Sequence, residues 1–525
     1  MKKKGNDSST RKRRTVPDWV VKPLVPEEVY TDRQEFIDSF YKAALEAAHR
    51  RTWSKVLLGK RRMGKTEIFK RVVNRLFFEQ DPYDQDAVVP VYYSFPETKI
   101  DNRHFAINYV ENFLRYYVAF FTRQPELITI EPAGDKLLST VKRARKLYPF
   151  TDRLDLILDK IDQVRDPTNF LPHFDALKVP RIVSDVSDTT VAMFLDEFQN
   201  TRLPQHNFDI VGFMQTAVES PTCPHFVTGS VMTILAKEIL GTGALFGRFW
   251  AEKIKPLSEY WGAELVLRAA GYFKTEVPEI IAPVVAARCG GNPFYITSVV
   301  MQSANLNKPL LNEEAINEIL AVDISSGFIW AELNDQVTRW IARINEFNIT
   351  KWVLYLSALE QGEELDIKHI QTVLEEKEGK LVPIDTIRDT LIKLSRGDLL
   401  EYMQFGGWFR KIDDPILLEF LKVWGKIEVE KLNAQAVRKD FIQKYSTLKR
   451  KFSEYQGYVA EVFMSQILLS GTNRVIPGAL FHSEEDIKIP FRFILLRHRV
   501  RLGSGSDMEI DIYASSGNEE WLCES

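Results

Sequence analysis

The sequence predicts an α/β fold, a parallel sheet with helices on both faces, and three stretches carry that prediction. Trp53 to Leu58 (WSKVLL) ends in a short apolar run suited to a buried strand. After an intervening octet, TEIFKRVVNRLFF places Ile68, Phe69, Val72, Val73, Leu76 and Phe77 at the spacing of one helix face. At 191 the chain reads VAMFLDEFQN, where five apolar residues, Val191 to Leu195, run into Asp196 and Glu197, a buried strand ending in two carboxylates. AVVPVYYSF (87 to 95) and His225 to Thr228 add two more strands by their β-branched and aromatic content.

The octet between the first strand and its helix is GKRRMGKT: Gly59, Lys60, Arg61, Arg62, Met63, Gly64, Lys65 and Thr66. It fits G-x-x-x-x-G-K-[ST], the P-loop pattern. Its backbone N–H groups cradle phosphates, its Lys reaches the β- and γ-phosphates, and its Thr hydroxyl holds Mg²⁺. The order strand, glycine loop, helix sets a helix N-terminus, with its partial positive charge, against those phosphates. A loop of this kind needs a second strand end to hold the metal, and Asp196 is the candidate. Glu197 beside it is placed to polarise an attacking water, the task of a hydrolase rather than of a small-molecule kinase. Alone, such a pair reads equally as a helix cap; downstream of a P-loop in the correct order it reads as chemistry.

Two further polar residues are candidates. Ser230 ends the strand His225 to Thr228 and would face a γ-phosphate, though an isolated Ser there also suits a helix N-cap. Arg248, in LFGRFW, would stabilise charge on a transferring phosphoryl group in its own or a neighbouring subunit, or else is a surface Arg. AEKIKPLS follows it, with Ile254 expected on the last core strand.

Composition narrows the function classes. At 525 residues the chain is long enough for roughly three to four domains of ~150 residues. Its 69 basic and 72 acidic side chains leave a net charge of −3, so no protein-wide positive field advertises nucleic acid. Cys223, Cys289 and Cys523 form neither a CxxC pair nor an even framework, which suits a reducing cytoplasm and argues against structural zinc. No apolar stretch reaches the ~20 residues that span a bilayer, so no membrane partner is expected. Residues 1–16 are basic without an apolar run behind them, and are expected to form a disordered tail. Thr31, with Gln34 three residues on, predicts a capping box for the helix that follows. Residues 101 to 188 are mostly helical in pattern.

Beyond 300, ITKWVLYLSALEQG, IKHIQTVLEE and PIDTIRDTLIKLSRGDLL predict three helices, and EYMQFGGWFRKID predicts two short strands around Gly406-Gly407. In a DNA-reading version the third helix, Ile384 to Ser395, would enter the major groove; its Arg388, Lys393 and Arg396 are balanced by Asp385 and Asp389, which favours a clamp packed on the preceding domain. FSEYQGYVAEVFMSQILL then predicts an amphipathic helix, and FRFILLRHRV with MEIDIYASSGNEEWLCES predicts strands.

Taken together, Asp32-Arg33, GKRRMGKT, LDEFQ, TGS, LFGR followed by KPLS, and CGGNPFYI (289 to 296) resemble the archaeal-type ATPases of the STAND class of P-loop NTPases. The resemblance implies a P-loop core of the additional-strand type over 17–257, a helical lid over 258–345 and a winged helix over 346–432. It also implies that Asp32 and Arg33 belong to the nucleotide site and that Pro293 touches nucleotide from the lid. Residues 433–525 resemble the PD-(D/E)xK restriction-endonuclease-like domain often fused to these ATPases, in which Glu461, Asp511 and Glu524 would bind Mg²⁺. The chain stops at Ser525, where that pattern would place its Lys, so the domain is expected to be incomplete and a poor nuclease. The function implied is an ATP- and Mg²⁺-dependent switch ATPase controlling a DNA-directed module. The alternatives are a nucleotide-locked scaffold that assembles with itself or a partner protein, and a DNA-binding regulator without nuclease activity.

Overall fold

In the computed structural model α1 (Gln34–Leu45), β1 (Lys55–Leu58), α2 (Lys65–Glu79), β2 (Val88–Ser94), α3 (Asn102–Thr122), α4 (Glu126–Thr129), α5 (Gly134–Ala144), α6 (Thr151–Arg165), α7 (Pro172–Ser187), β3 (Thr190–Asp196), α8 (Gln215–Val218), β4 (His225–Thr228) and β5 (Trp250–Lys253) follow one another. The structure describes residues 19–130, 133–144, 151–202, 206–229, 239, 243–344, 349–360, 362, 364–379, 381–397, 399–403, 407–411, 414–478, 485–501 and 509–523. The five strands form one parallel sheet in the order β2-β3-β4-β1-β5. The strand carrying the two carboxylates is thus separated from the P-loop strand by β4, which is the additional-strand arrangement of a P-loop NTPase.

Successive side chains of a strand point to opposite faces of the sheet. All seven residues of β3 are buried, so both faces are covered. On one face Phe194 of β3 packs against Phe69 of α2, and Phe69 against Phe40 of α1, in edge-on ring contacts at 5.4 and 5.3 Å. Phe226 of β4 closes that aromatic cluster against Phe194 at 4.9 Å. Such rings bury large apolar areas and add ring-to-ring attraction, which fixes α1 and α2 on the sheet.

The helical segments are bounded by the residues expected to stop or start them. Asp101 caps α3 by accepting from the Arg103 and His104 amides. The expected capping box at Thr31 does not form: Asp32 and Arg33 both take left-handed backbone, Arg33 flanks the helix, and the Thr31 hydroxyl donates to the Val29 carbonyl at 2.9 Å. β5 ends at Lys253, one residue before Ile254, whose amide still donates to the Leu58 carbonyl at 2.8 Å.

After the sheet come α9 (Glu259–Phe273), α10 (Ala282–Arg288), α11 (Pro293–Asn305), α12 (Glu313–Ser326) and α13 (Phe328–Ile344). Next are α14 (Thr350–Leu359), α15 (Ile367–Glu378), α16 (Ile384–Arg396), the antiparallel pair β6 (Glu401–Met403) and β7 (Trp408–Arg410), and α17 (Pro415–Glu428). Three helices and a hairpin therefore follow in the expected order, and Glu364 bridges Arg410 to add a short third antiparallel contact. Apart from the first part of α12, these elements belong to one compact unit that runs to Leu311 and resumes at Asp323 as far as Ala434. The other unit takes Asn312–Val322 and the chain from Gln435. It contains α18 (Ala434–Ser470), the pair β8 (Val475–Ile476) and β9 (Ile487–Lys488), and the antiparallel sheet β10 (Leu495–Arg501), β11 (Glu509–Ser515) and β12 (Glu520–Cys523). Leu468, Ile489, Phe493, Ile512 and Ala514 make its small core. No helix among the described residues is long and apolar enough to cross a membrane.

Candidate nucleotide site

The P-loop leaves β1 at Gly59 and turns on two left-handed residues, Arg62 (φ 65°) and Gly64 (φ 90°). Gly59 is required by crowding, since a Cβ there would lie 2.1 Å from the Ile254 side chain. Helix α2 then starts at Lys65 with no side chain capping its first turn, which leaves its N-terminal amides available to an anion. Lys65 is buried, and its ammonium donates to the Gly59 and Lys60 carbonyls, each at 2.7 Å. This holds the cation across the mouth of the loop.

Loop, helix and strand ends surround a cavity of about 490 Å³, within the ~300–1,000 Å³ typical of small-molecule sites. Arg61, Arg62, Met63, Gly64, Lys65 and Thr66 line it, with Asp196 and Glu197 from the end of β3, Gly229 beyond β4, Arg33 from the N-terminal side and Pro293 from the start of α11. Residues far apart in sequence are thus brought to one site. Asp196 is buried; its carboxylate accepts from the Tyr92 hydroxyl at 2.8 Å and from the Glu197 amide at 2.7 Å. Glu197 sits in left-handed backbone (φ 52°) and accepts from the Gln199 side-chain amide. Burial, helped by the Asp196 charge, raises the Glu197 carboxyl above its ordinary value, while Gln199, Arg61 and Lys65 pull it back. Burial also lowers Arg62 to about 10, the neighbouring Arg61 adding to the shift.

Opposite the phosphate loop, Leu24, Val25, Val29, Tyr30 and Thr31 form an apolar wall with one polar edge. This strip has no helical or strand periodicity and is held by α2. Glu67 accepts from the Leu24 amide at 2.7 Å, and Asn74 accepts from the Val20 and Val21 amides at 2.8 and 3.0 Å. Arg71 donates to Glu67 at 2.8 Å and lies 3.6 Å above the Tyr30 ring, a cation–π contact. The signal in the sequence for this strip is the polar stripe Glu67, Arg71, Asn74 on a helix whose neighbouring face is apolar. The buried Tyr30 hydroxyl and Arg33 Nε find no hydrogen-bond partner among the described residues, so the wall offers unsatisfied polar atoms. Arg33 is fixed by a 2.8 Å bond to the Lys255 carbonyl.

The glycine turn before α11 is tied to the same segment. Gly291 (φ 65°) accepts from the Leu257 amide at 2.9 Å, and a Cβ on it would meet the Leu257 carbonyl at 2.4 Å. Asn292 caps α11 by accepting from the Phe294 amide, with Pro293 at the first helical position, where a missing N–H costs nothing. Residues 254–257 are therefore gripped by Gly59 on one side and Gly291 on the other.

Other candidates fall elsewhere. Gly59 and Lys60 act through their carbonyls without lining the cavity, and Asp32 faces Arg33 at 3.4 Å from behind it. Arg248 lies outside the lining, bonded to Glu219 at 2.7 Å and to the Ala244 and Phe246 carbonyls. Ser230 and Glu524, and the side chain of Glu461, lie outside the described residues; Asp511 is on β11 in the other unit. Among the described residues no group of three or more His, Cys, Asp or Glu stands together as metal ligands. The Thr66 hydroxyl and Asp196 carboxylate are instead the hard oxygen donors that suit Mg²⁺ shared with phosphates.

No family model matches the chain, and no curated protein matches it. Among solved structures it is similar to a Walker-type ATPase of Pyrococcus abyssi, at 18% identity over 77% of this chain and 99% of that one, with a TM-score of 0.48. It is also similar to the ORC2 protein of Aeropyrum pernix, described as ADPNP-ADP complexes, at 14% identity over 82% and 98% with a TM-score of 0.42. The ORC1 protein of the same organism, in complex with DNA, matches at 13% identity over 79% and 98% with a TM-score of 0.38. At these TM-scores none of the three bears on what this chain does.

Proposed function

We propose that the chain is an ATP-binding, slowly hydrolysing switch of the STAND type, and that its nucleotide state controls the C-terminal module. The observation that carries the reading is the convergence of Lys65, Thr66, Asp196 and Glu197 on one cavity walled by Tyr30, Arg33 and Pro293. Lys65 would exchange its two loop carbonyls for phosphate oxygens, with the α2 amides beside it. Mg²⁺, held through Thr66 and Asp196, would supply charge neutralisation at the β- and γ-phosphates. Glu197, buried and with its carboxyl raised, is suited to take a proton from an attacking water, and Gln199 holds it in place. Tyr30 and Arg33 would face the nucleoside end.

The segment 346–432 reads as a winged helix serving as a clamp, supported by a 2.9 Å bond from Tyr295 of α11 to Asp414, which also caps α17. Arg248, bonded to Glu219 outside its own cavity, would reach a phosphate in a neighbouring subunit, which suits an ATP-dependent homo-oligomer. In the second unit Glu461, Asp511 and Glu524 remain proposed Mg²⁺ ligands of a nuclease-like module, and DNA a proposed partner. The reading is tested by equilibrium titration with labelled ATP and Mg²⁺. The wild type should bind saturably and Lys65→Ala should lose binding by at least tenfold, the weight of one charge-assisted contact of about 1.5–3 kcal/mol. Equal binding by the two would refute it.

A further inference from the structure

The paired arginines of the P-loop set two like charges side by side in the wall of a site. Both line the nucleotide cavity, and both also line a second, narrow cavity with Phe294, Glu332 and Asp414. They differ in what they hold. Arg62, in left-handed backbone, forms an ion pair with Glu332 of α13 and lies 5.0 Å over the Phe294 ring. Arg61 makes no hydrogen bond or ion pair among the described residues, although burial and the charge of Arg339 both disfavour its cationic form. Glu197, Glu97 and Asp335 act on it at longer range.

A guanidinium offers five donors and cannot shed its charge, so a largely buried one calls for an anion. Glu332 supplies an anion to Arg62. Arg61 lines the same cavity as Lys65, Asp196 and Glu197, so the anion that can pair with it directly is one the cavity takes up. We propose that Arg61 distinguishes a nucleoside triphosphate from a diphosphate, and that the Arg62–Glu332 pair passes the difference to α13. This rests on the nucleotide reading above. A third phosphate adds negative charge beside both arginines and competes with the Glu332 carboxylate for Arg62; two phosphates leave the pair intact. Helix α13 is also joined to the sheet domain by the bond from Arg339 to Glu97 at 2.9 Å, so weakening the Glu332 pair loosens one charged tie of this helix.

The test compares a non-hydrolysable ATP analogue with ADP, both with Mg²⁺, on the full chain. Affinities are measured by calorimetry and α13 is followed by hydrogen exchange over 328–344. In the wild type the analogue should bind tighter than ADP and speed exchange in α13 relative to ADP. Arg61→Ala should reduce the ratio of analogue to ADP affinity by about tenfold, the weight of one charged hydrogen bond, with ADP affinity little changed. Arg61→Lys, which keeps the charge, should restore part of the ratio. Glu332→Gln should give fast exchange with either nucleotide and leave binding in place. An unchanged affinity ratio in Arg61→Ala, or α13 exchange that ignores both the nucleotide and Glu332→Gln, overturns the inference while the nucleotide reading stands. A wild type that binds neither ligand overturns the nucleotide reading instead.

Discussion

Glu197 bears the most demanding role at the level of single residues. Its left-handed backbone costs about 1–3 kcal/mol in general, and such strain persists where the surroundings over-determine it. Here the Asn200 amide donates to its carbonyl at 2.9 Å, and Gln199 holds its carboxylate. Because burial raises its carboxyl, the acid limb of the hydrolysis rate should lie above the ordinary carboxylate range. Gln199→Ala removes a group that lowers it, so that limb should move further toward neutral pH. Steady-state rates between pH 5 and 8 check this, and an unmoved limb counts against Glu197 as the base. The gathering of Gly64, Lys65, Thr66, Asp196 and Glu197 at one cavity was legible because the loop pattern and the strand-end acids are short, local signals. The strip around Tyr30 was not, because its position depends on hydrogen bonds to Glu67 and Asn74 some 43 to 54 residues away.

Strands and turns make their own predictions. Strand β4 was readable to the residue because the β-favouring Phe226, Val227 and Thr228 follow one another and are buried, with His225 buried beside them. The ring is fully buried with Nδ1 on the Cys223 carbonyl at 2.9 Å, and burial holds its pKa down to about 4. Unfolded, the group titrates at its usual value near ~6.5, so the unfolded chain binds the extra proton and stability is lost as pH falls from about 6.5 to 4. That window is worth about 3 kcal/mol. Denaturation of this domain should therefore show the wild type losing about that much more than His225→Asn between pH 7 and 4; parallel losses would mean the ring is solvated. In the turn before α11, Gly290 and Gly291 are both left-handed, but only Gly291 has the Leu257 carbonyl in the way of a Cβ. Gly290→Ala should cost about 1–2 kcal/mol, the left-handed penalty alone, and Gly291→Ala clearly more, with weaker nucleotide binding because this turn is displaced. Equal losses in a melting experiment would contradict the close approach. The Thr31 capping box failed because Asp32 and Arg33 turn left-handed to carry Arg33 to the Lys255 carbonyl, a tertiary demand no local pattern reveals.

On the scale of the whole molecule, the sheet was legible because its strands are short apolar runs that stop at glycine, acidic or hydroxyl residues, a pattern local enough to read. The joining of the sheet domain to the later helices was not, since it rests on contacts between residues far apart in sequence, among them Gly291 on Leu257, Tyr295 on Asp414, Arg62 on Glu332 and Arg339 on Glu97. Breaking one of them, as in Tyr295→Phe, which removes the hydroxyl that donates to Asp414, should leave the core folded and change how this side of the cavity responds to nucleotide. Limited proteolysis with and without ATP reads this out, and an unaltered digestion pattern in both conditions would remove the contact from the switch. The central claim is that this cavity binds ATP and hydrolyses it through Glu197. The most direct measurement is single-turnover hydrolysis of radiolabelled ATP, with enzyme in excess and Mg²⁺ present, beside an equilibrium binding curve. Slow turnover by the wild type, with Glu197→Gln binding ATP normally and losing at least a hundredfold in rate, the typical weight of general acid–base catalysis at ~10²–10⁴, is the predicted result. Hydrolysis by Glu197→Gln at the wild-type rate would contradict it.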